Sequence, residues 1–283
     1  MISVISATEE RDDLRAVKEK YRELTDSIRK LGRAATAFSG GVDSSLLAYA
    51  AKDALGYDAY AFTLWSPLLP GDDKREILSF AARYGIRLFK IEHYELSSND
   101  FCENSPERCY VCKSARLDAL ASLAEELDIP WLLDGSNIDD LNDWRPGMRA
   151  LRESKIARSP LLECGLSKKD IREISSYLGL PTAVKPSAAC LASRIPTGTV
   201  ITKDLILKID AGEGMIKKYL PANAQLRMRY DGRTAKIETD RENIPSLSQS
   251  LVSISEELAL IGIADVFIEE NGYVMGNATA RPK

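Results

Sequence analysis

Residues Ser39-Gly40-Gly41-Val42-Asp43-Ser44 set two glycines, a carboxylate and two hydroxyls between a β-prone run, 34–38, and a helix-prone run, 45–50. Strand, small-residue turn and helix start is the arrangement in which backbone N–H groups converge on an anion. Glycine lets the chain approach a phosphate with no Cβ in the way. Ser39, Ser44 and Ser45 add hydroxyl donors. The kinase-type loop is excluded, because no Lys follows the second glycine. Asp43 suits two compatible tasks, orienting the loop or a metal and capping the helix.

Sulfur supplies the second chemistry. Cys109 and Cys112 form a C-x-x-C, and Cys190 stands apart in Pro186-Ser187-Ala188-Ala189-Cys190. Two thiolates three residues apart reach the same side of a turn and can chelate one metal. Structural zinc, a redox dithiol and chance each produce such a pair. A closed zinc site wants four ligands, whereas the chain has one histidine, His93, and no second C-x-x-C. Three cysteines within reach of one another suit an iron–sulfur cluster whose open iron can hold a substrate or an extra sulfide. Cys164 reads as a small buried hydrophobe. Cys102 matches no motif and is at most a spare ligand.

Alternating strand-like and helix-like segments must position these groups. An amphipathic helix is expected over 9–31, with Leu14, Val17, Tyr21, Leu24, Ile28 and Leu31 on one stripe. Strands are predicted at 34–38, 58–64, 86–91, 130–134 and 157–162, and helices at 44–55, 72–84, 113–127 and 168–178. This alternation predicts an α/β fold with a doubly wound parallel sheet. Ligands of such sheets sit at the strands' carboxyl ends, where the loop, Thr63-Leu64-Trp65-Ser66 and Leu133-Asp134-Gly135-Ser136-Asn137 would fall. Past residue 197 the pattern changes to helix (202–219), a hairpin turned at Asp231-Gly232, helix (244–260) and strand (264–269). Two domains are therefore expected, 1–197 and a small α+β domain at 198–283.

Composition narrows the function classes. The chain has 283 residues, 45% of them hydrophobic, and a formal net charge of −4. That balance argues against sequence-independent nucleic-acid binding and leaves room for a local basic pocket. No apolar run approaches the roughly 20 residues of a membrane span, and the first residues lack a basic n-region. A cytoplasmic address is expected. There, an odd count of five cysteines favours metal or catalytic use over disulfides.

The loop resembles the SGGxDS motif of the ATP pyrophosphatases, the PP-loop superfamily, which cleave ATP between the α and β phosphates and leave AMP on a substrate oxygen. Four further segments join it: Asp134-Gly135-Ser136-Asn137, Asn142-Asp143-Trp144-Arg145-Pro146-Gly147, Cys190-Leu191-Ala192-Ser193-Arg194-Ile195-Pro196-Thr197-Gly198 and Leu226-Arg227-Met228-Arg229-Tyr230. Together they resemble the LarE family, ATP-dependent sulfur transferases that make the nickel-pincer cofactor of lactate racemase. The likeness spans nearly the whole chain. The loop specifies only the superfamily; the Asp-x-Arg-Pro-Gly and Ser-Arg-Ile-Pro segments carry the family.

The resemblance implies ATP bound by Ala37, Phe38, Ser39, Gly40, Gly41, Asp43, Ser44, Ser45, Thr63, Leu64, Asp134 and Gly135, with Mg²⁺ on the departing pyrophosphate. It implies a small nucleotide-like substrate, pyridinium-3,5-biscarboxylic acid mononucleotide, whose carboxylate is adenylated and becomes a thiocarboxylate. Its phosphate calls for a cationic clamp, for which Arg194, Arg227, Arg229 and Arg145 are the candidates; Arg227 and Arg229 alternate and so share a face. Family members draw sulfur either from a [4Fe–4S] cluster on three cysteines or from one sacrificed cysteine. Cys109, Cys112 and Cys190 match the first version, with Cys190 the sacrificial residue under the second. A sulfide or sulfur donor and a homo-oligomer are expected, with no nucleic-acid or membrane partner. A tRNA-thiolating enzyme, an amidating synthetase and a non-catalytic nucleotide sensor with a structural metal are the competing readings.

Overall fold

The computed structural model describes residues 7–142, 147–186 and 189–274. Its elements run α1 (Ala7–Arg29), β1 (Ala34–Ala37), α2 (Val42–Leu55), β2 (Ala59–Trp65), α3 (Gly71–Tyr84), β3 (Arg87–Glu92), α4 (Asn99–Cys102), α5 (Arg108–Glu126), β4 (Trp131–Leu133), α6 (Gly147–Glu153), β5 (Ala157–Arg158), α7 (Pro160–Glu163) and α8 (Lys168–Tyr177). They continue with α9 (Lys203–Ile216), β6 (Leu226–Tyr230), β7 (Thr234–Thr239), α10 (Ile244–Gln249), α11 (Leu251–Ala259) and β8 (Asp265–Ile268). No described helix is long and apolar enough to cross a membrane.

Five strands make a parallel sheet in the order β3-β2-β1-β4-β5, as the alternating pattern predicts. Strand β1 is central and small: Ala34 pairs with Ala59 on one side and Trp131 on the other. The chain runs outward from β1 through β2 to β3, then returns to lay β4 on β1's free edge. That reversal makes the carboxyl ends of β1 and β4 the switch point at which such sheets bind ligands. Helix α2 covers the sheet with Val42, Leu46, Leu47, Ala50 and Ala51, all buried. Leu24 and Ile28 of α1 are fully buried, while Leu14, nearer its start, is exposed.

Two local departures have backbone causes. The strand expected at 157–162 is only Ala157–Arg158, because Pro160 has no N–H for a ladder and opens α7 instead. Helix α5 begins at Arg108, not 113, and so takes in the whole C-x-x-C.

Compact packing divides the chain into two units, one of residues 1–64, 75–91 and 116–185, the other of 65–74, 92–115 and 186–283. In the second unit, Leu68 and Phe101 join Leu191, Ile195, Ile209, Met228, Ile237 and Leu258 in one apolar core, so two early segments belong with the C-terminal elements. Its sheet is mixed: β6 and β7 are antiparallel, β7 and β8 parallel. The hairpin turns where expected, with Asp231 Oδ1 accepting from the N–H groups of Arg233 and Thr234 and Gly232 at φ +98°.

In the first unit Ser167 and Asp170 form a reciprocal capping box at the start of α8, and Asp170 also binds Lys20 of α1. Burial raises the Asp170 pKa, but hydrogen bonds from Lys20 and Ser167 overcome it and hold the carboxyl at about 2. A depressed folded-state pKa means that the stabilisation is complete above the unfolded pKa and is lost as pH falls toward the folded one. Asp170→Asn is therefore expected to lower the urea midpoint at pH 7 and to flatten its decline between pH 5 and 2. Parallel wild-type and variant curves across that window would contradict the assignment.

Candidate active site

The phosphate loop starts where β1 stops. Phe38 extends the ladder by donating its N–H to Phe62 O (2.8 Å), and the chain then turns at Gly40, whose φ is +75°. A Cβ on Gly40 would lie 2.6 Å from Ile77 Cγ1, whereas one on Gly41 meets only Ser39 Oγ at 3.7 Å. Of the two glycines, Gly40 is the one that the fold itself demands. Gly41 takes the N-cap position of α2 in extended backbone, with no side-chain cap. Ser44 braces the loop: its hydroxyl accepts from Ser39 N (3.2 Å) and donates to Gly41 O (3.2 Å). Ser45 sits behind it, fully buried, its hydroxyl without a hydrogen-bond partner.

Asp43 is not the helix cap, since Gly41 holds that position. Its carboxylate instead receives Lys168 Nζ at 2.5 Å on one oxygen and Asn137 Nδ2 at 3.5 Å on the other. Gly135 eases that approach: a Cβ there would stand 3.3 Å from both Asp43 Cβ and Ser44 N, a tight contact that glycine avoids just past β4. Asp134 turns inward and accepts from Ser136 N (2.9 Å) and the Ser136 hydroxyl. Thr63 and Leu64 are buried at the end of β2.

Two lysines that motif reading misses complete this cluster. Lys168 is the first residue of α8, placed by the capping box. Lys185 donates to Gly40 O (3.1 Å) and pairs with Glu76 (2.5 Å). The Ser-x-x-Asp capping signature was available to mark the residue at the start of α8. Nothing local marks Lys185.

The second unit holds Cys102, Cys109, Cys112 and Cys190 together with Arg194, Arg227 and Arg229. Cys109 and Cys112 lie one turn apart on α5, hence on one face. Cys190 precedes the short turn Leu191–Arg194. Cys112 and Cys190 pack on the same apolar core, and all five cysteines are thiols rather than disulfides. Three soft thiol donors in one unit are the chemistry that an iron–sulfur cluster requires. Among the described residues, however, no three Cys, His, Asp or Glu side chains converge into a group that could hold a metal ion. Cys102 donates to Leu96 O (3.5 Å), and burial raises its pKa. Cys164 is only half-buried, in the first unit, and burial raises its pKa too.

The arginines are unequal. Arg194 is buried and fork-paired with Glu213 at 2.9 and 3.0 Å. Burial opposes its charge, but the ion pair outweighs burial and raises its pKa. Arg229 is matched by Glu238 (2.7 Å) and donates to Ser193 O (3.0 Å). Arg227 is buried over the Tyr273 ring, 5.5 Å from its centroid, and burial, followed by neighbouring Arg194, lowers its pKa. An added anion would relieve that positive field. Two of these three guanidinium groups, on Arg194 and Arg229, already serve structural carboxylates. Arg145, the fourth candidate, lies outside the described residues.

Glu213 also accepts from Met228 N (2.9 Å), which ties α9 to β6. Glu213→Ala leaves the Arg194 charge buried and uncompensated, and is expected to destabilise the second unit by roughly 3–5 kcal/mol. A urea midpoint unchanged from wild type would show the pair to be dispensable.

No family model matches the chain. An uncharacterized protein of Synechocystis sp. is 36% identical over 262 residues, 92% of this chain and 97% of that protein. Pyridinium-3,5-bisthiocarboxylic acid mononucleotide synthase of Lactiplantibacillus plantarum is 30% identical over 260 residues, 91% of this chain and 92% of the synthase. An uncharacterized protein of Methanocaldococcus jannaschii is 27% identical over 216 residues, 76% of this chain and 82% of that protein.

Proposed function

The chain belongs to the LarE family, and from that premise we propose that it is an ATP-dependent sulfur transferase acting on pyridinium-3,5-biscarboxylic acid mononucleotide. What carries the reading is a phosphate loop at the sheet's switch point in a chain similar, almost end to end, to a bisthiocarboxylic acid mononucleotide synthase.

A carboxylate is a poor electrophile, so it must first be given a leaving group. A substrate carboxylate oxygen attacks the α-phosphorus of ATP, the bond to the β-phosphate oxygen breaks, and pyrophosphate leaves. The loop N–H groups, with Lys168 and Lys185, stabilise the charge that develops on it. Mg²⁺ with Asp43 as a ligand would neutralise more of that charge. A sulfur nucleophile then attacks the acyl carbon, the bond to the AMP oxygen breaks, and thiocarboxylate and AMP are released. A [4Fe–4S] cluster bound by Cys109, Cys112 and Cys190 would supply sulfide for that step. The competing source is Cys190 itself, which would lose its sulfur by elimination and be left as dehydroalanine. The paired thiols of α5 favour the cluster, because the sacrificial route leaves them without a task.

Incubating the protein with ATP, Mg²⁺, sulfide and the biscarboxylic substrate is expected to release pyrophosphate and AMP and to exchange one substrate oxygen for sulfur. Nucleotide binding without pyrophosphate release would make the chain a sensor and overturn the proposal.

The arginines give a graded prediction. Arg227→Ala is expected to raise the substrate KM about 10- to 100-fold, the loss of one charge-assisted contact of roughly 1.5–3 kcal/mol, with the KM for ATP unchanged. Arg229→Ala should act more weakly, since Glu238 already engages its guanidinium. Equal KM values in wild type and the Arg227 variant would place the phosphate elsewhere.

A further inference from the structure

Arg108 opens α5, one residue before Cys109, and it is 3% exposed. A buried guanidinium ordinarily has a carboxylate partner. Here its contacts are Asn104 Oδ1, the Ala192 carbonyl oxygen at 3.2 Å and Cys109 Sγ at 4.0 Å. The cation therefore sits among neutral acceptors and sulfur, between the helix carrying the C-x-x-C and the turn that follows Cys190.

Asn104 fixes that position. It is fully buried, in left-handed backbone at φ +56°. Its Nδ2 donates to the carbonyls of Pro196 and Thr199, both at 2.8 Å, and its own carbonyl accepts from Gly198 N at 3.0 Å. Two residues earlier, Cys102 O accepts from Ile201 N at 2.8 Å. The segment 102–108 is thus stitched to 196–201, and Arg108 extends the stitching to Ala192.

We propose that Arg108, locked by Asn104, is the positioning residue that holds the Cys109–Cys112 helix start to the Cys190 turn and sets its charge beside the Cys109 thiol. The inference rests on the reading of these three cysteines as one sulfur site. Arg108 Nη2 faces Cys109 Sγ, and thiolates in general are favoured beside arginine. The fork matters as well as the charge: Nη1 serves both oxygen acceptors while Nη2 faces the Cys109 sulfur, a two-nitrogen reach that the single nitrogen of a lysine lacks.

The test uses the full-length reduced chain and a short bis-maleimide, with peptide masses mapping which thiols it joins. Wild type is expected to give a bridge between Cys190 and Cys109 or Cys112. Arg108→Ala and Arg108→Lys should each cut its yield at least about tenfold, while circular dichroism shows the fold retained. Should Arg108→Ala fail to fold, Asn104→Gly decides: glycine accepts φ +56° without strain, yet loses the side-chain anchor, so the bridge should fall there too. A wild-type chain that forms no such bridge overturns the proposal, as does an undiminished bridge in Arg108→Ala or, where that variant does not fold, in Asn104→Gly. Full yield in Arg108→Lys also overturns it, reducing the role to charge alone. Iron and sulfide counts on the same proteins keep the two readings separable. An Arg108-dependent bridge in protein that takes up no iron sinks the cluster and leaves the positioning role standing. A cluster on the three cysteines, with bridging indifferent to Arg108, does the reverse.

Discussion

Gly40→Val is expected to stop pyrophosphate formation, with a loss of at least about 10³-fold in rate. Two independent penalties meet at this residue. A β-branched side chain at φ +75° is a genuine outlier, and its Cβ would enter Ile77 at 2.6 Å. The backbone must move, and the Gly40 carbonyl that receives Lys185 moves with it. Gly41→Val is the comparison: its φ of −76° is ordinary and its Cβ has room, so a loss there beyond the modest cost of valine at the helix N-cap reports phosphate approach. Asp43→Ala, which releases Lys168 and Asn137 while leaving the glycines untouched, should cost about 10²-fold or more. ATP–pyrophosphate exchange measures all three. Full exchange in both Gly40→Val and Asp43→Ala would refute the loop as the nucleotide site.

Changing any one of Cys109, Cys112 or Cys190 to alanine is expected to abolish iron content and sulfur transfer together, while adenylation survives. The separation follows from the chemistry, since thiolates hold the sulfur source and play no part in the attack on phosphorus. With sulfide supplied, a cluster also implies many turnovers at constant protein mass. The sacrificial route implies one turnover, a loss of about 34 Da (the mass of H₂S) at Cys190 only, and active Cys109→Ala and Cys112→Ala variants. Intact-protein mass after turnover, compared across the three variants, distinguishes them. A colourless wild-type protein containing zinc would remove the cluster from the mechanism.

What the amino-acid order determines by itself is local. Apolar periods mark β1, α2, β2, α3 and β3 to within a residue or two, because a strand or helix stripe is written in consecutive positions. The glycine-rich loop and the C-x-x-C are equally contiguous, so their chemistry is visible before any fold is known. Tertiary structure decides everything that depends on residues far apart in the chain. Lys168 and Asp43 are 125 positions apart, Lys185 and Gly40 145, and no local pattern announces either pairing. The contrast between Gly40 and Gly41 needs Ile77, which only the packing of α3 brings into place. Arg194, Arg227 and Arg229 are alike as letters; the fold makes them different, by pairing Arg194 with Glu213 and Arg229 with Glu238 while burial and the neighbouring Arg194 lower the pKa of Arg227. Charge is a property of a residue, but the field it feels belongs to the fold.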